Sequence, residues 1–148
     1  MKSVNYSALA LAFLTLTSCS KLMNRNSPAA NAAKSQSEAE AKLCDNMTQK
    51  GGAIRQYPTV TQETSLSAVK EANIKVEDAV NELQKSSGKI NSPDLLEVTT
   101  KYQELQSTVS SVPGGRETVG SAADQISTQA GQLQTAWNHL YKKMQCGA

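Results

Sequence analysis

The stretch VGSAADQISTQAGQLQTAWNHLYKKM, residues 119–144, decides the fold. Its apolar positions are Val119, Ala123, Ile126, Ala130, Leu133, Trp137, Leu140 and Met144, which recur at alternating steps of four and three. That alternation averages the 3.5-residue repeat of a helix packed against other helices, so all eight share one face. Gln, Ser, Thr and Lys fill the remaining positions and supply a wet face. The spacing predicts one long helix over about Arg116 to Gln145.

Two earlier stretches repeat the pattern. Leu95, Val98, Tyr102, Leu105, Val109 and Val112 form a stripe that opens at Ser92-Pro93-Asp94, a cap, a helix-compatible proline and a first-turn acid. It stops at Pro113-Gly114-Gly115. Before it, Leu66, Val69, Val76, Val80 and Leu83 predict a helix over about Thr61 to Ser86, with Asn73 in the one polar place of the stripe and Ser86-Ser87-Gly88 as its end. A shorter helix is expected over Glu38 to Lys50, where Ala39, Leu43 and Met47 are four apart and Gly51-Gly52 reads as a terminator. Ala53 to Pro58 then reads as a connection. Stripes joined by short Gly/Pro turns argue for an all-α antiparallel three-helix bundle with an additional short N-terminal helix, or a four-helix bundle with one short member, with left-handed heptad packing.

Composition narrows the function. The net charge is +2 and both signs are interspersed, so no basic footprint for nucleic acid exists. The single Phe, Phe13, lies far upstream of the stripes, leaving Trp137 and three tyrosines as the only aromatic members of a core otherwise built from Leu, Val, Ile, Ala and Met. Glu71, Glu77, Asp78 and Glu82 scatter along a helix face without pairing across a cleft, so no general acid/base pair can be assembled. Gly114-Gly115 is a turn and not a phosphate loop, because no Lys-Ser or Lys-Thr follows it. No cofactor, catalytic residue, metal ligand set or small-molecule substrate is called for.

The N-terminus carries a different kind of signal. Lys2 precedes an apolar run, Ala8 to Leu16, interrupted only by Thr15. The run is shorter than the roughly 20 residues a membrane-spanning helix needs and matches the h-region of a secretory signal. Leu16-Thr17-Ser18-Cys19 follows it and resembles the lipobox of bacterial lipoproteins. The resemblance covers about the first twenty residues. It implies cleavage before Cys19, lipidation of Cys19 and anchoring of the mature chain to a membrane, where several acyl chains hold stably and one does not. Ser20 in place of aspartate resembles the outer-membrane sorting pattern of Gram-negative lipoproteins, which places the protein on the periplasmic face of that membrane. The resulting organisation is a signal peptide over 1–18, a lipidated Cys19 with a flexible tether over 19–37, and a helical domain over 38–148.

Export leaves Cys44 and Cys146 as an even pair in a compartment where disulfides persist. An intramolecular bridge is expected, against two free thiols or bridges to a partner. A zinc site has no second cysteine or histidine near either position.

Three further residues compete between roles. Asn73 in the seam either specifies register or marks a layer partly open to water or to the short helix. His139, the only histidine, follows the stripe at Trp137 and projects away from the core; a bundle with one His and Met47 or Met144 faintly resembles a b-type haem binder, but ligation needs an inward His and a pocket. Trp137 and Tyr141, one turn apart, read as core packing with a half-exposed neighbour, or as an aromatic patch for a partner. The expected protein is a lipid-anchored envelope module, structural or protein-binding and not catalytic, acting through an envelope partner or self-association. The alternative is an inhibitor or immunity-type lipoprotein that docks the loop Ala53 to Pro58 or Pro113 to Arg116 on its target.

Overall fold

The computed structural model describes residues 28–88, 90 and 92–147, with side chains from Lys34 onward. The signal peptide 1–18, Cys19, Ser20 and the first part of the tether lie outside the described residues. Four α-helices follow: α1 (Pro28–Arg55), α2 (Leu66–Ser87), α3 (Pro93–Ser111) and α4 (Ala123–Lys143), the last preceded by one 3-10 turn, Gly120–Ala122. Each helix packs on the next, and α4 returns to α1, closing a four-membered ring. Every pair is antiparallel. Asn46 of α1 donates to the Glu82 carbonyl of α2 at 3.5 Å, Gln84 of α2 donates to Thr99 of α3 at 3.2 Å, and Gln134 of α4 donates to the Ile54 carbonyl of α1 at 3.0 Å.

The expected all-α bundle is therefore present, with its apolar stripes facing inward. Val69, Val76 and Leu83 of α2, Val98 and Leu105 of α3, and Ile126, Trp137 and Leu140 of α4 are wholly enclosed. Asn73 is buried with them at 7% exposure, and its Oδ1 has no hydrogen-bond partner. Its layer is closed, not open to solvent. Tyr57 and Tyr102 are also buried, and desolvation pushes both hydroxyls up to about 12; for Tyr102 the nearby Glu77 carboxylate adds to the rise.

The helix limits differ from expectation most at α1. It begins at Pro28, so residues 28–37 belong to a helix and not to an irregular tether. Ala29, Ala30, Ala32 and Ala33 lie behind a proline at the first helical position, where it is tolerated, and alanine has the highest helix propensity. α1 also runs through Gly51-Gly52 to Arg55, absorbing half of the expected connection. The reason is packing. Gly51 falls on the buried face with Leu43, Met47 and Ile54, and a β-carbon there would lie 2.7 Å from Trp137 Nε1 and 3.0 Å from its Cε2. Glycine lets α1 approach the indole, and burial of the ring offsets the roughly 1 kcal/mol that a helical glycine costs.

α3 starts at Pro93 as expected, but α2 and α4 start later than expected. Residues 61–64 form a turn closed by a hydrogen bond from Thr61 N–H to Thr64 Oγ1 at 2.8 Å, so α2 starts at Leu66. Glu117 to Val119 is tied to that turn: Leu66 N–H donates to the Glu117 carbonyl at 2.9 Å, Val119 N–H to Thr64 at 3.0 Å and Gly120 N–H to Gln62 at 3.1 Å. This pairing, with an isolated bridge between Ser65 and Thr118, holds residues 116–119 out of α4 and knits the α1–α2 and α3–α4 connections at one end of the bundle.

At the opposite end Cys44 and Cys146 are joined, with 5.1 Å between their Cα atoms and a sequence separation of 102. A loop of that size gives about 4–5 kcal/mol in the chain-entropy estimate. Upstream of this bond α1 runs on past the end of α2: Lys42 still lies beside Lys85 and Ser86, α2 ends at Ser87, and none of the side chains over 34–42 is fully buried. At 1.5 Å per residue the helix from Pro28 projects about 20 Å past the bundle.

Gly51→Ala should lower stability by about 1–3 kcal/mol through overpacking against Trp137. Gly52→Ala and Gly131→Ala, where nothing lies within 4 Å of the added carbon, should raise it by up to about 1 kcal/mol each. Urea titration of the three variants compares the sites directly. Because Tyr57 and Tyr102 hold their protons up to about 12 in the fold but release them near 10 when unfolded, the domain should lose stability as pH rises through that interval, measurable by melting temperature.

Candidate functional site

Two groupings of chemistry-bearing side chains stand out, one at each end of the bundle. The first lies at the disulfide end, where the start of α3 meets the finish of α4. Asp94 is the second residue of α3, and its side chain is only 8% exposed. Lys143 Nζ donates to its Oδ2 at 2.5 Å and the Ser92 hydroxyl donates to the same oxygen at 3.0 Å, while His139 Nδ1 stands 3.4 Å from Oδ1. Ser92 makes no side-chain cap to the α3 backbone, contrary to the capping role expected of Ser92-Pro93-Asp94. Its hydroxyl is engaged by Asp94 instead.

The Lys143 ammonium, hydrogen-bonded to Asp94, holds that carboxyl below the usual carboxylate range against the opposing effect of desolvation. The Ser92 hydroxyl adds to the lowering. Helix ends supply part of the logic: an acid suits the N-terminus of α3 and a base the C-terminus of α4, and the antiparallel pairing brings the two together. His139 and Lys143 are one turn apart on α4, so both converge on one carboxylate. Asp94, Glu97 and His139 offer donor atoms within 4.8 Å of one another, the residue types of a metal set. Lys143 already supplies the positive charge at Asp94, so the corner is complete as an interhelix ion pair.

The second grouping is the knitted loop end. Pro113, Gly114, Gly115, Arg116 and Glu117 are all exposed, and Arg116 N–H donates to the Pro113 carbonyl at 3.1 Å. A shallow recess beside them is lined by Val112, Arg116, Val119, Ser121 and Gln125. The neighbouring turn presents Thr61, Gln62 and Glu63. Its flank over 117–120 is fixed by the three interloop hydrogen bonds, and the turn itself presents a polar, exposed surface. Of the two loops expected to dock on a target, Pro113 to Arg116 is free to do so. Ala53 to Pro58 is not, since its first three residues are helical and Ile54 and Tyr57 are buried.

The structure places the remaining sequence candidates as follows. Cys44 and Cys146 are bonded, so neither is a free thiol. Trp137 is enclosed and belongs to the core, while Tyr141 is half-buried with its hydroxyl 3.4 Å from Thr48 Oγ1; they form no exposed aromatic patch. His139 is 62% exposed on its side chain and faces Asp94, away from Met47, which is fully buried. Glu71 and Glu82 make exposed ion pairs with Lys75 and Lys85 at 2.9 and 2.8 Å, a solvated arrangement of little energetic weight. Sequence reasoning misses the Asp94 corner, although Ser92-Pro93-Asp94 opposite His139 and Lys143 follows once α3 and α4 are laid antiparallel.

Comparison with known protein families, curated proteins and solved structures finds no match to this chain.

Asp94 ties pH to stability. A carboxyl held low in the fold and released on unfolding stabilises the native state above its unfolded value, about 3.9, and that contribution is lost as pH falls through the folded value. Wild type should therefore melt above Asp94→Asn at neutral pH, and the two curves should converge on acidification below about pH 4. Parallel curves at all pH values would assign the difference to packing alone.

Proposed function

We propose that the chain is a lipid-anchored envelope protein whose four-helix bundle is a non-catalytic protein-interaction module, held on the periplasmic face of the outer membrane. The observation that carries this reading is Leu16-Thr17-Ser18-Cys19 directly after an apolar run of signal-peptide length. The Cys44–Cys146 bond supports it, since such bonds persist in oxidising compartments. Among the described residues no helix is long and apolar enough to cross a membrane, so attachment rests on the lipid.

The fold suggests which surface is offered. The anchor side of the chain enters through the projecting turns of α1 at the disulfide end, which leaves the knitted loop end furthest from the lipid. The large exposed apolar side chains among the described residues, Ile74 and Leu96, lie on different helices, which favours a polar contact with a partner over self-association through an apolar stripe. The exposed Pro113 to Arg116 turn favours, as a second reading, an inhibitor or immunity-type protein that inserts this turn into a target.

Cys19→Ser should abolish lipid processing and release the protein from the membrane fraction; unchanged processing and association would remove the anchor from the account. A photocrosslinker placed at Arg116 in the protein's own cells, followed by mass spectrometry, should capture one recurrent envelope protein. Capture from sites on the α2–α3 faces but not from Arg116 would relocate the interaction and sink the loop-docking reading.

A further inference from the structure

We propose that the Cys44–Cys146 bond is a redox-sensitive latch on α1, whose reduction lets that helix undock from α2–α4 and bares the core face around Trp137. Three features of the fold carry this. Among its described side chains α1 buries only Leu43, Met47, Gly51 and Ile54, whereas α2, a shorter helix, buries eight residues. Within the described residues the one covalent cross-link sits at the root of α1, one position after its first buried side chain, and reaches past the end of α4 to Cys146. The surface that α1 covers is the indole of Trp137, whose Nε1 has no hydrogen-bond partner and lies against Gly51.

Access to the bond is asymmetric. Cys44 is half-buried and Cys146 is 7% exposed, so the Cys44 side is the more open to an incoming thiolate, with Cys146 as the leaving thiolate. The reductant is a dithiol. Its first sulfur forms a mixed disulfide with Cys44, and its second displaces Cys44. The dithiol is thereby oxidised to a disulfide and the protein gains two electrons and two protons as two thiols.

Without the bond, α1 is held on α2 by packing and the Asn46 to Glu82 hydrogen bond, and on α4 by the Gln134 to Ile54 and Thr48 to Tyr141 hydrogen bonds and the packing of Gly51 on Trp137. The α2–α3–α4 unit keeps the packing of its stripes on one another, apart from the face left bare around Trp137, and the ion pair at Asp94. Undocking thus separates one helix from three.

Trp137 is the only tryptophan in the chain, so its fluorescence reports the surroundings of this one indole. The full mature protein, treated with dithiothreitol under native conditions, should show emission shifted to longer wavelength and increased quenching by acrylamide. Far-UV circular dichroism should fall by no more than the share of helix in α1, and Cys146 should become open to alkylation. The Cys44→Ser/Cys146→Ser variant should reproduce the reduced spectrum without reductant. Unchanged emission after complete alkylation of both thiols would overturn the latch. Collapse of the whole helical signal would overturn it equally, by making the bond a brace of the entire domain.

Discussion

Trp137 is completely enclosed, and the side of its indole that meets α1 tolerates only a residue without a β-carbon. Much else is arranged around that contact. A helix carrying two adjacent glycines is a poor helix by propensity, yet it continues for nearly a full turn beyond them because the indole, Met47 and Ile54 give its apolar face something to cover. α1 and α4 pack closely there, which brings their outer ends near enough for Cys44 and Cys146 to join. The glycine and the disulfide thus act on one helix pair from different heights along it.

The two ends of the bundle are closed by different chemistry. At one end backbone amides and carbonyls of the α1–α2 and α3–α4 connections pair with each other, an arrangement indifferent to side-chain identity. At the other, closure rests on side chains: a disulfide between α1 and the C-terminal segment, and a carboxylate on α3 engaged by a lysine of α4. Side-chain devices are open to change by pH and redox state, and backbone pairing is not. Sensitivity to the surroundings through interhelix side-chain links is therefore concentrated at the disulfide end.

The stripes over 66–83, 95–112 and 119–144 make three of the four helices legible in the sequence, because an enclosed apolar face leaves a periodic mark wherever it is long. Cys44 and Cys146 are likewise legible as a pair, since reading Cys19 as a lipobox residue leaves an even number of cysteines. Gly51 misleads because a glycine that ends a helix and a glycine that admits a tryptophan look alike in one dimension; only its place in the series Leu43, Met47, Gly51, Ile54 hints at the second role. The starts of α2 and α4 fall later than their stripes suggest because pairing between two loops distant in sequence leaves no local trace. The Asp94 corner is hidden for the same reason, since its carboxylate opens one helix and its partners His139 and Lys143 close the next.

The bond between Cys44 and Cys146 also has a topological meaning. It converts almost the entire folded domain into a covalent ring, from which the N-terminal helix and the last residues depart at a single point. A protease that cuts the exposed Pro113-Gly114-Gly115 turn, the kind of site where nicking concentrates, opens the ring but releases no fragment. Both pieces stay joined and in register, and the molecule survives as a two-chain protein. That tolerance of a cut is a form of durability separate from thermodynamic stability.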